Sequence, residues 1–198
     1  MNRRDLLKRA GVAIIPAAIL GTRLPAMGIS WQPGILRIAA VVYDERYSDC
    51  RSFADILVQH GATPFPANGD CGRLWHGALS EHFAANRGSV AGLTTDSDSV
   101  VSRVCGREFG FSTTYEGTHD GRGPGYIVHH LRGSGYERDF ASTLQRDEMP
   151  WSESVAEALH RSVRLDNPKS GVQRTMLNTR NSLSQHLYLV SWLLEKSA

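Results

Sequence analysis

Leu36-Arg37-Ile38-Ala39-Ala40-Val41-Val42-Tyr43, closed by Asp44 and followed by a helical run from Ser48 to Gly61, decides the fold class of this chain. Apart from Arg37 the stretch is apolar and β-rich, which suits a strand buried on both faces in a parallel sheet. Ser48 or Asp49 stands where a helix cap is wanted, and Phe53, Ala54, Leu57 and Val58 recur at helical spacing before Gly61 offers a left-handed stop. That is one βα unit. A short strand over 62–67 leads to Asn68-Gly69-Asp70, where Asp70 caps a second helix that carries Leu74, Trp75, Ala78, Leu79 and Phe83. A third unit follows: Ser89 to Leu93 as strand, Thr94-Thr95-Asp96-Ser97 as capping turn, and a helix to Gly110 with Val100, Val101, Val104 and Cys105 as its expected buried stripe. Three consecutive units predict a parallel sheet with helices packed on it.

Beyond Gly110 the grammar changes. Phe111 to Tyr115 and Tyr126 to Leu131 read as two strands joined by the Gly-rich loop Gly117 to Gly125, and a connection without a helix makes them antiparallel. Ser152-Glu153-Ser154 opens a helix to about Val163, with Glu153 in the first turn where it opposes the helix dipole. The segment 165–185 is rich in turn residues and reads as a surface excursion. Leu187 to Leu194 reads as a final strand. The expectation is a single α/β domain over 29–198: a three-layer or two-layer sandwich with a mixed, mostly parallel sheet, flavodoxin-like in its first half and finished by an antiparallel edge pair.

Residues 1–28 are of another kind. Arg3 and Arg4 precede Leu6-Leu7-Lys8, an apolar run from Ala10 to Leu20 is broken by Pro16, and Arg23 and Pro25-Ala26-Met27-Gly28 follow. The run is far short of the roughly twenty residues that span a bilayer. The segment resembles the bacterial twin-arginine (Tat) signal peptide, with Asn2 in place of the usual hydroxyl residue and Leu6 in place of Phe. The resemblance implies recognition by the Tat machinery, export in the folded state and a periplasmic product, often with a cofactor or partner already bound. A co-exported redox enzyme is a natural companion.

Of the 22 Lys/Arg and 20 Asp/Glu, residues 1–28 hold five and one, which leaves 17 basic against 19 acidic residues in the remainder. A net charge of −2 there offers no basic stripe for a phosphate backbone, so nucleic acid is not an expected partner. No apolar run in the remainder is long enough for a stable membrane span. The three cysteines, Cys50, Cys71 and Cys105, lack zinc or haem spacing. No metal and no cofactor is expected.

Candidate chemistry gathers where parallel strands end, because helix N-termini and free backbone N–H groups converge there. Asp44 can serve as a base and Arg46 as a carboxylate clamp, or Asp44-Glu45-Arg46 is a solvated turn with an ion pair. Thr94, Thr95 and Ser97 can hold an anion or simply cap a helix. His119, placed in the Gly-rich loop, is either a general acid or base or an exposed loop residue. His129 and His130 are adjacent in a strand and point to opposite faces, which speaks against one metal held by both. Cys50 and Cys71 each follow an Asp at a helix start. They read as a disulfide across the rim, as two free thiols, or as a nucleophile opposed by its neighbouring acid. Common enzyme signatures are absent. The expected role is therefore an accessory or small-ligand-binding one, with a small enzyme acting on an acid or carbonyl compound as the alternative.

Overall fold

The computed structural model describes residues 37–121, 126–134, 137–144, 149–164, 172–180 and 188–196. The segment with Arg3 and Arg4, read from the sequence as a signal peptide, lies outside the described residues, as do residues 122–125 and parts of the 165–185 segment. The described residues belong to one compact unit, Gly34–Ala198.

The elements run β1 (Ile38–Tyr43), α1 (Ser48–Gln59), β2 (Thr63–Pro66), α2 (Cys71–Leu74), a π-helical turn (Trp75–Leu79), α3 (Ser80–Ala85), β3 (Ser89–Thr94) and α4 (Asp96–Glu108). They continue with β4 (Phe111–Asp120), β5 (Tyr126–Ser134), α5 (Glu137–Leu144), α6 (Trp151–Arg164), β6 (Val172–Arg180) and β7 (Tyr188–Lys196). The seven strands form one mixed sheet in the order β2-β1-β3-β7-β4-β5-β6. The α/β class is as expected, but the sheet is not mostly parallel. β1 pairs in parallel with β2 and β3, whereas β3–β7, β7–β4, β4–β5 and β5–β6 are all antiparallel.

The reason lies in the last strand. β3 and β4 point the same way and are joined by the α4 crossover, which leaves one strand place open between them. β7 fills it antiparallel to both, with Val90↔Leu194 on one side and Thr118↔Val190 on the other. Its seven residues Leu189 to Glu195 are all buried, so a C-terminal segment forms the middle of the sheet. The antiparallel β4–β5 pair is present but does not form the edge, because β6 covers β5 from outside. The sequence reading took β6 for part of a surface excursion and missed α5 altogether.

Right-handed crossovers place the helices. The step from β1 to β2 runs opposite to the steps from β2 to β3 and β3 to β4, so α1 lies on one face and α2 to α4 lie on the other. Cys50 and Cys71 therefore sit in two different cores, Cys50 with Phe53, Leu57 and Leu93, Cys71 with Trp75, Leu79 and Trp192. Both are free. Of the three readings offered for these cysteines the disulfide is thereby corrected, because the sheet separates the two sulfurs. Burial pushes the Cys71 thiol up to about 12 and the Cys50 thiol up as well, opposite to what a nucleophilic thiolate needs.

α4 also reverses an expectation. Val100, Val101 and Val104 are exposed at 44%, 38% and 52%, while Ser99, Ser102, Cys105 and Gly106 face the sheet. Bulk on the sheet side demands small residues there: a Cβ on Gly106 would stand 2.7 Å from Leu194 Cδ1 and 3.4 Å from the Trp75 ring. The helix comes close to the sheet and turns its valines outward. Caps differ in detail as well. Asp70 accepts from the Arg73 N–H at 3.0 Å as predicted, but α1 starts after Tyr47, with no side-chain cap from Ser48 or Asp49.

Candidate functional site

The rim where β1 and β3 end holds Asp44, Arg46, Thr94, Thr95 and Ser97, and each is already engaged. Asp44 is fully buried. Its Oδ1 accepts from the Arg46 N–H at 3.1 Å and from Arg46 Nε at 2.8 Å, and its Oδ2 accepts from Arg46 Nη2 at 2.5 Å. This two-pronged pair holds the Asp44 carboxyl below its usual range. A carboxylate so stabilised is a weak base. Thr94, also buried, accepts from Trp192 Nε1 at 3.2 Å and donates to the Thr95 carbonyl at 3.2 Å.

Thr95 caps α4. Its Oγ1 accepts from the Asp98 N–H at 3.4 Å and donates to Asp98 Oδ2 at 3.1 Å, with Ser97 Oγ 3.2 Å away. The Thr95 hydroxyl caps the Asp98 N–H while its own proton is held by the Asp98 carboxylate. Thr94, Thr95 and Ser97 thus lie together as the sequence suggested, in the geometry of an ordinary cap.

His119 is not in a loop. β4 runs on to Asp120, and His119 stands directly across from His129 of β5. Both are buried on the face covered by α5 and α6, and they form the centre of a polar chain. His129 Nε2 lies 2.7 Å from Thr179 Oγ1, the two Nδ1 atoms lie 2.7 Å apart, and His119 Nε2 lies 2.7 Å from Ser191 Oγ. Ser191 Oγ is in turn 3.1 Å from the Tyr115 hydroxyl. Gly117 makes the room, since a Cβ there would stand 2.4 Å from that hydroxyl and 2.7 Å from Ser191 Oγ. The Trp151 ring closes the chain from above, its centroid 4.6 Å from that of His119 and 5.5 Å from that of His129.

Burial, reinforced by each imidazole's neighbour, keeps both rings neutral. His119 is driven well below the usual value by burial and by His129, and His129 falls to about 4 through burial and His130. A neutral imidazole has one N–H, so the chain is satisfied when every bond points the same way, from Thr179 towards Ser191 or back. In the second sense Ser191 donates to His119 and His119 to His129, the order of a nucleophile, its base and an orienting group. Ser191 and His119 are 0% and 1% exposed, however, which leaves no room for a substrate beside them.

An open site lies on the opposite face. α4 covers β3, β7 and β4 but not β5 and β6, so His130, Arg132 and Met176 face outward there. Between α4 and this bare face runs a groove of about 680 Å³, walled by Arg103 and Arg107 of α4 and by Glu116 and Arg132 of the strands. A second depression of about 400 Å³ shares Glu116 and Arg132 with it and reaches Thr118, His130 and Met176. Arg103 is ion-paired with Glu116 and donates through Nε to the Ser99 carbonyl at 3.3 Å. Among the described residues no three His, Cys, Asp or Glu side chains gather to hold a metal ion.

Sequence reasoning missed both the polar chain and the groove. A signal for each was present. Ser191 is a polar residue in the apolar Leu189-Val190-Ser191-Trp192-Leu193 run, and Arg103 and Arg107 are one helical turn apart. Comparison with known protein families, with characterised proteins and with solved structures finds no match.

Proposed function

We propose that this chain is a Tat-exported periplasmic protein that works by binding, as an accessory subunit or small-ligand-binding protein associated with an exported enzyme, a redox enzyme being the expected companion. The observation that carries the reading is the face of β5 and β6 that no helix among the described residues covers, with its groove beside α4. Binding sites are concave, largely preformed and of this size. The exposed ridge of Val100, Val101 and Val104 runs along the same helix and adds apolar surface for a partner. The strand order β2-β1-β3 with helices on both faces supports a flavodoxin-like first half, though a fold by itself assigns no function.

The test is capture in the native compartment. A photoreactive residue at Tyr126 or Met176, both exposed on the bare face, traps the partner or ligand, whereas one at Val58 of α1 does not. Equal yields at all three positions end the reading. Replacing Arg3 and Arg4 by lysine holds the precursor in the cytoplasm; unaltered secretion removes the export part of the proposal.

A second reading, a small enzyme acting on an acid or carbonyl compound, is favoured by one observation, the 2.7 Å contact of Ser191 Oγ with His119 Nε2. It requires α6 to lift Trp151 from the pair. A fluorophosphonate probe then labels Ser191 in the wild type and not in His119→Ala; absence of labelling in the folded protein retires this reading.

A further inference from the structure

We infer that the groove between α4 and the bare face of β5 binds a small organic oxyanion, a carboxylate or a phosphate ester, gripped by Arg107 and Arg132. The inference rests on the binding reading above and names the chemical class of the ligand. Beyond residue 28 the chain carries two more acids than bases, so a concentration of positive charge is a local property and not a reflection of the whole. Three guanidinium groups and one carboxylate line this groove.

The single carboxylate does not neutralise them evenly. Glu116 stands directly across from Arg132 in the β4–β5 ladder, and alternation turns both to the side of the sheet that carries α4. Yet Glu116 is ion-paired with Arg103, which the Ser99 carbonyl also holds in place. Among the described residues Arg107 and Arg132 have no ion pair. They border one cavity, Arg107 from the last turn of α4 and Arg132 from β5, and the exposed Thr113 of β4 lines it as well.

Two guanidinium forks lining one cavity supply the paired N–H donors by which a carboxylate or phosphate is recognised. The adjoining depression, with Thr118, His130 and Met176, accommodates the body of such a molecule. Glu116 then acts as a specificity element. It excludes ligands too negative to lie beside it and keeps Arg103 from competing for the anion.

Isothermal titration with succinate, citrate and glycerol 3-phosphate at constant ionic strength, with glycerol as the uncharged control, tests the inference and separates carboxylate from phosphate preference. The expected result is saturable binding of at least one anion and none of glycerol. Loss of one charged hydrogen-bonding partner weakens binding about tenfold, so Arg107→Ala and Arg132→Ala each do so. Glu116→Gln strengthens binding by releasing Arg103, and Arg73→Ala, on the exposed side of α2, leaves it unchanged. Circular dichroism melts confirm that each variant is folded.

No saturable binding of any of the three anions, or binding that Arg107→Ala and Arg132→Ala do not alter, overturns the inference. The photoreactive residues at Tyr126 and Met176 then separate the two claims. Capture there of an uncharged molecule or a partner chain keeps the binding reading while the oxyanion falls, and no capture ends both.

Discussion

In β3 all six residues from Ser89 to Thr94 are buried, whereas in β5 Ile127, His129 and Leu131 are buried while Tyr126, His130 and Arg132 are exposed. The two strands belong to one sheet and differ only in what lies over them. β3 has α1 on one face and α4 on the other; β5 has α5 on one face and nothing on the other among the described residues. A strand covered twice has no solvated face and becomes continuously apolar, and a strand covered once alternates. The buried polar chain from Thr179 to Ser191 runs between these regimes, starting in β6 and ending in β7. It lies on the face that α5 and α6 cover; the other face of β7 is buried under α4, and that of β5 carries the exposed His130 and Arg132.

The difference is sharpest in the cost of deleting a large side chain. Trp192 is 0% exposed, packs in the α2–α4 core and bonds Thr94, so Trp192→Ala loses about 3–5 kcal/mol of stability. Met176 is 66% exposed on the bare face, and Met176→Ala changes stability by no more than about 0.5 kcal/mol. Urea midpoints at fixed slope measure both. Comparable losses would erase the distinction between the two halves.

Acid probes the seam. The unfolded chain protonates His129 near 6.5, the folded chain only near 4, so the unfolded state binds the proton first as the pH falls. The stability due to neutral burial is complete above pH 6.5 and is lost as the pH drops towards 4, by on the order of 3 kcal/mol for this residue. His119 acts in the same direction. Asp49 opposes them, because burial raises its carboxyl, so the fold takes up that proton before the unfolded chain does and gains stability as the pH falls. Asp44, held low by Arg46, adds its loss only below the ordinary carboxylate value of 3.8. Urea midpoints between pH 7.5 and 4 should therefore fall, and His129→Gln should flatten the fall. A wild-type profile that is flat across this window would show that the histidine pair is not held neutral.

Ser191→Ala is expected to cost about 1–3 kcal/mol, because it leaves His119 Nε2 and the Tyr115 hydroxyl buried without their partner. Chemical denaturation measures it, and a neutral result would mean that a water replaces the hydroxyl. The smallest effect belongs to the groove: Glu116→Gln breaks its pair with Arg103, both about a quarter exposed, for less than about 1 kcal/mol. A larger loss would make the pair a structural element of the sheet and weaken its role as a groove residue.

The first three βα units were legible because each repeats local rules: an apolar run, a polar cap, a helical stripe and a glycine stop. Ser191, His119 and His129 were individually visible but not as a set, since 72 positions separate Ser191 from His119 and no local rule brings them together. His119 was misplaced because Gly117 reads as a turn signal, whereas the glycine serves a close approach of Tyr115 and Ser191 within a longer strand. β6 was lost for a related reason. An edge strand with an exposed Met176 and polar neighbours has little of the apolar signal by which buried strands are found.

By itself, the sequence determined the α/β class, the strands β1 to β3 and the antiparallel sense of β4 and β5, because these follow from hydrophobic period and turn chemistry within short windows. The apolar tail from Leu187 to Leu194 fits a helix about as well as the strand expected for it. Only the tertiary structure decided that β7 completes the middle of the sheet, that Cys50 and Cys71 lie on opposite faces, that α4 turns its valines outward, and that one face of β5 and β6 has no helix over it among the described residues. Each of these depends on which distant segment occupies a vacant place against a strand or helix, and that competition is settled by packing and hydrogen-bond satisfaction across the whole sheet.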